Sequence, residues 1–169
     1  LFVLDGMNYW QWCIIECKLR KSGLTIQTKT SMAYIPSITA WSRQSLFSGC
    51  NPNLEKTNSN EAKLFEAYWA KFGYSKHQIG FLKFSHNKPL DADAIPANVD
   101  ILGIVCNDLD DIMHGAVLGN EQLMTATLQW LDASKIVDYI NELRIKGFKI
   151  FVTTDHGNVE AIGIKNLKL

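Results

Sequence analysis

The sequence predicts a doubly wound α/β fold, in which helices flank a largely parallel central sheet. Short apolar runs alternate with amphipathic helical segments, a pattern typical of parallel strands joined by helices. Three of these runs, residues 1–4, 101–106 and 150–154, are each followed by carboxylates. In open α/β proteins, ligands bind outside the carboxyl ends of the strands. The sequence therefore predicts an acidic, ligand-binding edge of the sheet.

After the first strand, the first half of the chain is predicted to hold two helices with a strand between them. An apolar stripe predicts a helix over residues 9–21, with Gly23 just beyond its end. Alternation of apolar residues with threonines predicts a strand over residues 24–34, which Pro36 ends. A short helix is expected over residues 40–47.

The second half shows the same alternation of helix and strand. Residues 61–72 form a clear amphipathic pattern and are predicted to be a helix. Strands are predicted over residues 78–84 and 101–106. A long helix over residues 131–146 leads to the last strand, over residues 149–154.

Length and composition predict a single domain over residues 1–169. The chain is 47% hydrophobic, which is enough for one compact core. It begins inside a predicted strand, without a methionine, and stops soon after Asp155 and His156. We therefore expect a piece of a longer polypeptide, in which case the fold is incomplete.

The charge balance excludes a strongly basic or acidic surface. Lysine plus arginine and aspartate plus glutamate each total 17, so the net charge is zero. A neutral average still permits a local positive groove, so direct nucleic-acid binding stays open. No apolar run approaches the roughly 20 residues that span a bilayer, and we expect no membrane association.

Cysteine usage indicates a reducing compartment. The four cysteines lack zinc-finger spacing, and they are Cys13, Cys17, Cys50 and Cys106. We expect all four to be buried thiols, which places the protein in the cytoplasm by default.

Two strand ends carry residue types that bind metals. Asp155 and His156 are adjacent at the predicted end of the last strand, where a turn at Gly157 lets both side chains reach one ion. The alternative is an ordinary turn in which Asp155 caps the following segment. Asp5 ends the first strand, and its alternative is likewise a simple turn with Gly6.

Asp110 and His114 form a second candidate pair. They are four residues apart, so on a helix they share a face and can bind one metal ion together. Asp108 and Asp111 compete with Asp110 for this role, although the spacing favours Asp110. The alternative is a helix N-terminal carboxylate with an unrelated surface histidine.

Thr39 is the candidate nucleophile. It lies at the start of a short predicted helix, where free N–H groups and a partial positive charge suit a phosphate. A threonine in this place is usually an N-cap, and it becomes a nucleophile only if a metal ion lowers the pKa of its hydroxyl. Arg43, one helical turn later, is expected to be exposed to solvent rather than to contact phosphate.

These motifs, taken in order, resemble those of the alkaline phosphatase superfamily of binuclear metal phosphohydrolases. The pattern comprises an early strand-end aspartate, a Pro-Ser-x-Thr segment, an Asp-x3-His pair and an Asp-His-Gly turn, namely Asp5, Pro36 to Thr39, Asp110 with His114, and Asp155 to Gly157. Within the superfamily, residues 39–49 and the downstream residues Glu61, Phe65, Tyr68 and Trp69 resemble the PglZ domain. That domain occurs in a bacterial phage-defence system (BREX) and as an effector module of some response regulators.

The resemblance implies two zinc sites in the complete domain. The first is built from Asp5, Thr39, Asp155 and His156. The second uses Asp110 and His114 together with a further histidine downstream of the Asp-His-Gly turn. No histidine of this chain fits that last role, so the ligand lies beyond residue 169 or the second site is incomplete.

The resemblance further implies a phosphoester or phosphodiester hydrolase that uses Thr39 as its nucleophile. Its substrate would be a phosphate ester or a nucleotide, and its partners would be proteins of a defence or signalling complex. Two alternatives stay open. Residues 152–158 also resemble the phosphomutase branch of the superfamily, although that branch's serine nucleophile segment is absent. The other is a non-catalytic PglZ-like module that binds partners.

Overall fold

The computed structural model describes residues 1–33, 35–57, 60–88, 90–115 and 120–158. Its centre is a sheet in which all strand pairs are parallel and the strand order is β2-β3-β1-β4. The strands are β1 (Phe2–Leu4), β2 (Ile79–Phe84), β3 (Ile101–Cys106) and β4 (Val152–Thr153). Helices follow or precede each strand: α1 (Tyr9–Lys21), α2 (Thr39–Ser48), α3 (Glu61–Ala70), α4 (Asp108–Gly115), α5 (Asn120–Ala133) and α6 (Ile136–Ile145).

Side chains of the central strands alternate between two apolar layers. Phe2 and Leu4 pack into the larger cluster, which also contains Ile15 of α1 and Ile140 of α6. Val3 points to the opposite face and packs with α2 and α3. Because successive residues of a strand face opposite sides, one three-residue strand anchors helices on both faces. The predicted doubly wound α/β fold with a parallel sheet is confirmed.

The strand register brings the acidic strand ends together. Leu4 of β1 pairs with Cys106 of β3, and Val3 pairs with Thr153 of β4. The Asp5 N–H then donates to the Cys106 carbonyl, which extends the ladder one residue beyond β1. The residues that follow β1, β3 and β4 therefore line a common edge of the sheet.

Helix α2 is anchored by Phe47, near its carboxyl end. The Phe47 ring packs edge-to-face against Phe65 of α3 and Phe81 of β2, with ring centroids 5.8 and 5.3 Å apart. Gly49 ends the helix in the left-handed conformation, at φ 67°. The short helix predicted over residues 40–47 is confirmed and is one residue longer at each end.

The strand predicted over residues 24–34 is wrong. Residues 24–33 form no strand, and residue 34 lies outside the described residues. Leu24 and Ile26 pack against the larger core cluster, which accounts for their alternation with polar residues. Side chains of α1 bond to this segment instead of a neighbouring strand: Arg20 donates to the Ile26 carbonyl, and Trp12 Nε1 donates to Thr28 Oγ1.

Three further predicted elements have different bounds. The helix predicted over residues 131–146 is two helices, because Lys135 adopts φ 55° between α5 and α6. Ser134 Oγ accepts the N–H of Ile136 at this break. The strand predicted over residues 149–154 pairs only at Val152–Thr153, since its partner β1 has three residues. Helix α3 ends at Ala70 rather than at residue 72.

The cysteine prediction is wrong for three of the four thiols. Cys13, Cys17 and Cys50 are exposed, and Cys106 alone is buried. Burial raises the pKa of the Cys106 thiol far above its usual range. Within the part of the chain described here, no helix is both long enough and apolar enough to cross a bilayer.

Candidate metal centre

Asp5 and Asp155 follow neighbouring parallel strands, and both side chains are buried at the same edge of the sheet. Asp155 Oδ1 accepts two backbone N–H groups, from Gly6 at 3.3 Å and from His156 at 3.0 Å. These bonds tie the turn after β1 to the turn after β4. Gly6 permits the first turn, because its φ of 64° is a conformation that other residues rarely adopt.

Three of the predicted ligands meet in one cluster. One potential ligand atom each of Asp5, Asp155 and His156 lies within 4.8 Å of the others. His156 Nε2 is 3.6 Å from Asp5 Oδ1 and 3.9 Å from Asp155 Oδ2. All three residues are buried, so their polar atoms face one another rather than solvent.

Thr39 joins this cluster through its hydroxyl. Thr39 Oγ1 is 2.8 Å from His156 Nε2, and His156 Nδ1 is 3.0 Å from the Gly157 carbonyl oxygen. Because a carbonyl oxygen can only accept, Nδ1 carries the proton of a neutral ring, and Nε2 can then accept a hydrogen bond from the Thr39 hydroxyl. Ile38, not Thr39, occupies the N-cap position of α2, so the interpretation of Thr39 as an N-cap is wrong.

Arg43 is buried, which contradicts the expectation of a solvent-exposed side chain. It is only 4% exposed, and each of its three side-chain nitrogens contacts a carboxylate. Nη2 lies 2.5 Å from Asp5 Oδ2, Nη1 2.7 Å from Glu61 Oε1, and Nε 3.0 Å from Asp155 Oδ2. Nη2 also donates to Asn107 Oδ1 at 2.8 Å, at the end of β3.

Sequence reasoning missed Arg43, Glu61 and Asn107 as members of this site. A signal for Arg43 existed, because a residue four positions after Thr39 lies on the same face of a helix. Glu61 begins a separate helix, α3, and Asn107 follows β3. Glu61 is part of the resemblance to the PglZ domain, but no spacing in the sequence places either Glu61 or Asn107 in the site.

Burial and like charge dominate the electrostatics of Asp5. Burial raises the pKa of Asp5, and the charge of Asp155 raises it further, to about 8, although Arg43 opposes both effects. Burial alone would lower the pKa of Arg43, but its bond to Glu61 and the charges of Asp5 and Asp155 raise that pKa overall. The guanidinium therefore remains charged among three buried carboxylates.

The second predicted pair lies beside this cluster but is not part of it. On α4, Asp110 Oδ2 is 3.4 Å from His114 Nε2, and the His114 side chain is 73% exposed. Asp110 Oδ1 lies 2.7 Å from where a Cβ on Gly6 would be, so Asp110 abuts the turn after Asp5. Its charge also contributes to the raised pKa of Asp5.

Asp108 is engaged elsewhere. Its Oδ2 accepts the His86 backbone N–H at 2.6 Å and Trp130 Nε1–H at 2.8 Å, and lies 3.1 Å from His86 Nδ1. Burial raises the pKa of Asp108, but these hydrogen bonds lower it more, so the net shift is downward. Of the candidate aspartates on α4, Asp110 abuts the turn after Asp5, whereas Asp108 connects the segment after β2 to α5.

We expect Asp108→Ala to reduce the free energy of unfolding by about 1–3 kcal/mol, because the buried indole N–H of Trp130 and the backbone N–H of His86 both lose their acceptor. Asp111→Ala, at an exposed position of the same helix, is the matched control and should stay within about 0.5 kcal/mol of the parent. Urea unfolding of both variants measures the difference. Equal stability of the two variants would contradict a structural role for Asp108.

Comparison with protein families finds a match over almost the whole chain. The model described as "BREX system PglZ alkaline phosphatase-like domain" matches residues 1–165. A search of curated proteins finds no match. The family match covers the cluster formed by Asp5, Thr39, Asp155 and His156, as well as Asp110 and His114.

Proposed function

The chain belongs to the PglZ family of alkaline phosphatase-like domains, and we propose that it is a metal-dependent phosphoester hydrolase with Thr39 as its nucleophile. One observation carries the proposal: the Thr39 hydroxyl lies 2.8 Å from His156 Nε2, at a buried cluster with Asp5 and Asp155. The substrate class is a phosphate ester or phosphodiester, nucleotides included. The family description supports a role in a defence complex.

The residues of the cluster fit a bound metal ion. Asp5 Oδ1 is buried and has no hydrogen-bond partner among the described residues, although it lies 3.6 Å from His156 Nε2. A buried carboxylate oxygen without a partner is costly unless a cation satisfies it. Two carboxylates and one imidazole are a typical zinc donor set, and the Thr39 hydroxyl would be the fourth ligand.

A bound Zn²⁺ would lower the pKa of the Thr39 hydroxyl and neutralise charge on the phosphoryl group. Thr39 Oγ, with its proton released to solvent, would form a bond to phosphorus while the bond from phosphorus to the leaving oxygen breaks. The leaving oxygen would take up a proton from solvent, which gives a phosphothreonine and the free alcohol. Water cleaves the phosphothreonine, releases phosphate or a monoester, and regenerates Thr39. The start of α2 supports both steps, because free N–H groups at a helix N-terminus attract phosphoryl oxygens.

Asp110 and His114 would hold a second metal ion, together with a ligand outside the described residues. They lie on one face of α4, and Asp110 abuts Gly6 next to Asp5. A pair of metal ions is the usual clamp for an in-line displacement at phosphorus. We propose that Asp110 and His114 take part in the hydrolysis of the phosphothreonine.

One observation favours a second candidate function, a non-catalytic module that binds protein partners. Arg43 contacts both Asp5 and Asp155, so these buried charges already have a counter-ion without a metal. Such a module would contain no zinc and would hydrolyse no phosphoester. The two candidates therefore differ in metal content as well as in turnover.

We expect the purified protein to contain zinc by elemental analysis and to melt at a lower temperature after treatment with a strong chelator. A metal present at 100 times its Kd contributes about 2.7 kcal/mol to the stability of the folded state. His156→Ala should remove the chelator effect, whereas His77→Ala, at an exposed position, should retain it. Hydrolysis of a chromogenic diester and a chromogenic monoester, before and after chelation, measures the activity.

Absence of metal from the protein as purified, no uptake of added Zn²⁺ and no turnover of either ester would together rule out the hydrolase and favour the partner-binding module. If the protein binds zinc but hydrolyses neither ester, the metal centre would stand and the proposed substrate class would be wrong.

A further inference from the structure

The Arg43 side chain is placed in the site so that its guanidinium faces neither a substrate nor solvent. All three of its side-chain nitrogens are engaged, with Asp5, Glu61, Asp155 and Asn107. The side chain is almost completely buried. A guanidinium with these contacts has no free edge to offer to a phosphate group.

The two carboxylate oxygens of Asp5 have different neighbours, because Arg43 contacts one of them and leaves the other to the cluster. Asp5 Oδ2 faces Arg43, while Asp5 Oδ1 faces His156 Nε2 and has no hydrogen-bond partner among the residues described. A carboxylate held through one oxygen cannot rotate without losing that contact. Arg43 therefore determines which Asp5 oxygen points into the cluster.

Arg43 is itself held from two further elements. Glu61, at the first position of α3, accepts from Nη1, and Asn107, just after β3, accepts from Nη2. Glu61 is buried, which makes this charged hydrogen bond stronger than a surface pair. The planar guanidinium thus has a defined orientation, since three carboxylates and an amide surround it.

We propose that Arg43 is the positioning residue of the metal centre and that Glu61 anchors it there. Arg43 holds Asp5 by Oδ2, so that Oδ1 is turned towards His156, and it holds Asp155 by Oδ2 beside the same metal ion, which Thr39 and His156 also reach. The proposal rests on the proposed metal-dependent function, because it concerns the arrangement of those ligands. It differs from a purely structural ion pair, which would stabilise the fold without affecting how the ligands meet.

The test is a titration of the purified, metal-free protein with Co²⁺ alone, followed by visible absorption. The position and intensity of the Co²⁺ bands depend on the number and arrangement of the ligands, and the titration also yields the Kd. The variants are Arg43→Met, which removes the charge but keeps an extended side chain, and Arg43→Lys, which restores a single charge. Arg144→Met is the matched control, at an exposed arginine that bonds to Asn141.

We expect Arg43→Met to weaken Co²⁺ binding by about 10- to 100-fold, as is usual when a group that orients a metal ligand is lost. We also expect the Co²⁺ bands of the bound state to move and change in intensity. Arg43→Lys should recover part of the affinity, and Arg144→Met should match the parent protein. A lower melting temperature of metal-free Arg43→Met, combined with the parent's Co²⁺ spectrum and Kd, would overturn the proposal.

Glu61→Gln provides the answer if Arg43→Met does not fold. This variant keeps Arg43 and a hydrogen-bond acceptor at its Nη1 but removes the charge that anchors it. A changed Co²⁺ spectrum in Glu61→Gln supports the positioning role, and an unchanged spectrum overturns it. A parent protein that binds no Co²⁺ would instead overturn the metal centre of the proposed function, so the two failures are distinguishable.

Discussion

Thr39→Val is expected to lower phosphodiester turnover by at least about 1,000-fold, because it removes the attacking oxygen while keeping the shape of the side chain. The hydroxyl lies 2.8 Å from His156 Nε2, beside the carboxylate cluster, and is the proposed nucleophile. Initial rates on a chromogenic diester, measured with the zinc-loaded protein, give the ratio.

Two companion variants separate loss of the nucleophile from general damage. Thr39→Ser keeps a hydroxyl and should retain measurable turnover. Thr125→Val removes a threonine hydroxyl from the exposed side of α5, where it donates to the Glu121 carbonyl of the same helix, and should behave as the parent. Turnover of Thr39→Val within a few-fold of the parent would contradict the nucleophile assignment, whatever the metal content.

Phe47→Ala is expected to lower the free energy of unfolding by about 3–5 kcal/mol, the usual range for removing a fully buried phenylalanine. Phe47 is 1% exposed and packs edge-to-face on Phe65 and Phe81. It also packs α2 against the sheet and α3, so its loss should loosen the helix that carries Thr39 and Arg43. Denaturant unfolding measures the first effect, and affinity for Co²⁺ measures the second.

Phe72→Ala is the matched control for this prediction. Phe72 belongs to the same aromatic region, where it contacts Tyr68 and Trp69, but it is 62% exposed. Its removal leaves no buried cavity and should cost less than about 1 kcal/mol. Equal losses for the two variants would show that the layer between α2, α3 and the sheet is not packed as the structure indicates.

The elements that the sequence predicted correctly are those with a complete local signal. Helix α1 and strand β3 have the predicted bounds, since amphipathic spacing and an uninterrupted apolar run need no information from elsewhere in the chain. The segment over residues 24–33 shows the limit of such signals. The alternation of apolar and polar residues can be read from the segment alone, but a strand also needs a neighbouring strand to pair with. Leu24 and Ile26 pack against the core although their segment forms no strand.

The break between α5 and α6 shows a second limit. The apolar spacing continues across Ser134 and Lys135, with neither glycine nor proline to mark a helix end. The left-handed conformation of Lys135 redirects α6 so that Ile136 and Ile140 enter the main core. Tertiary packing therefore overrides a local preference at this point.

The α/β class and the acidic strand ends follow from patterns read along the chain, and the resemblance to PglZ domains groups Asp5, Thr39, Asp155 and His156 into one expected site. The contacts of Arg43 with Asp5 and Asp155, and that of Glu61 with Arg43, are seen in the folded chain alone. Arg43 and Asp155 are 112 residues apart in sequence, and no local pattern encodes their contact. The parallel register of β1 and β4 brings the carboxylates together, and burial then makes a counter-ion necessary.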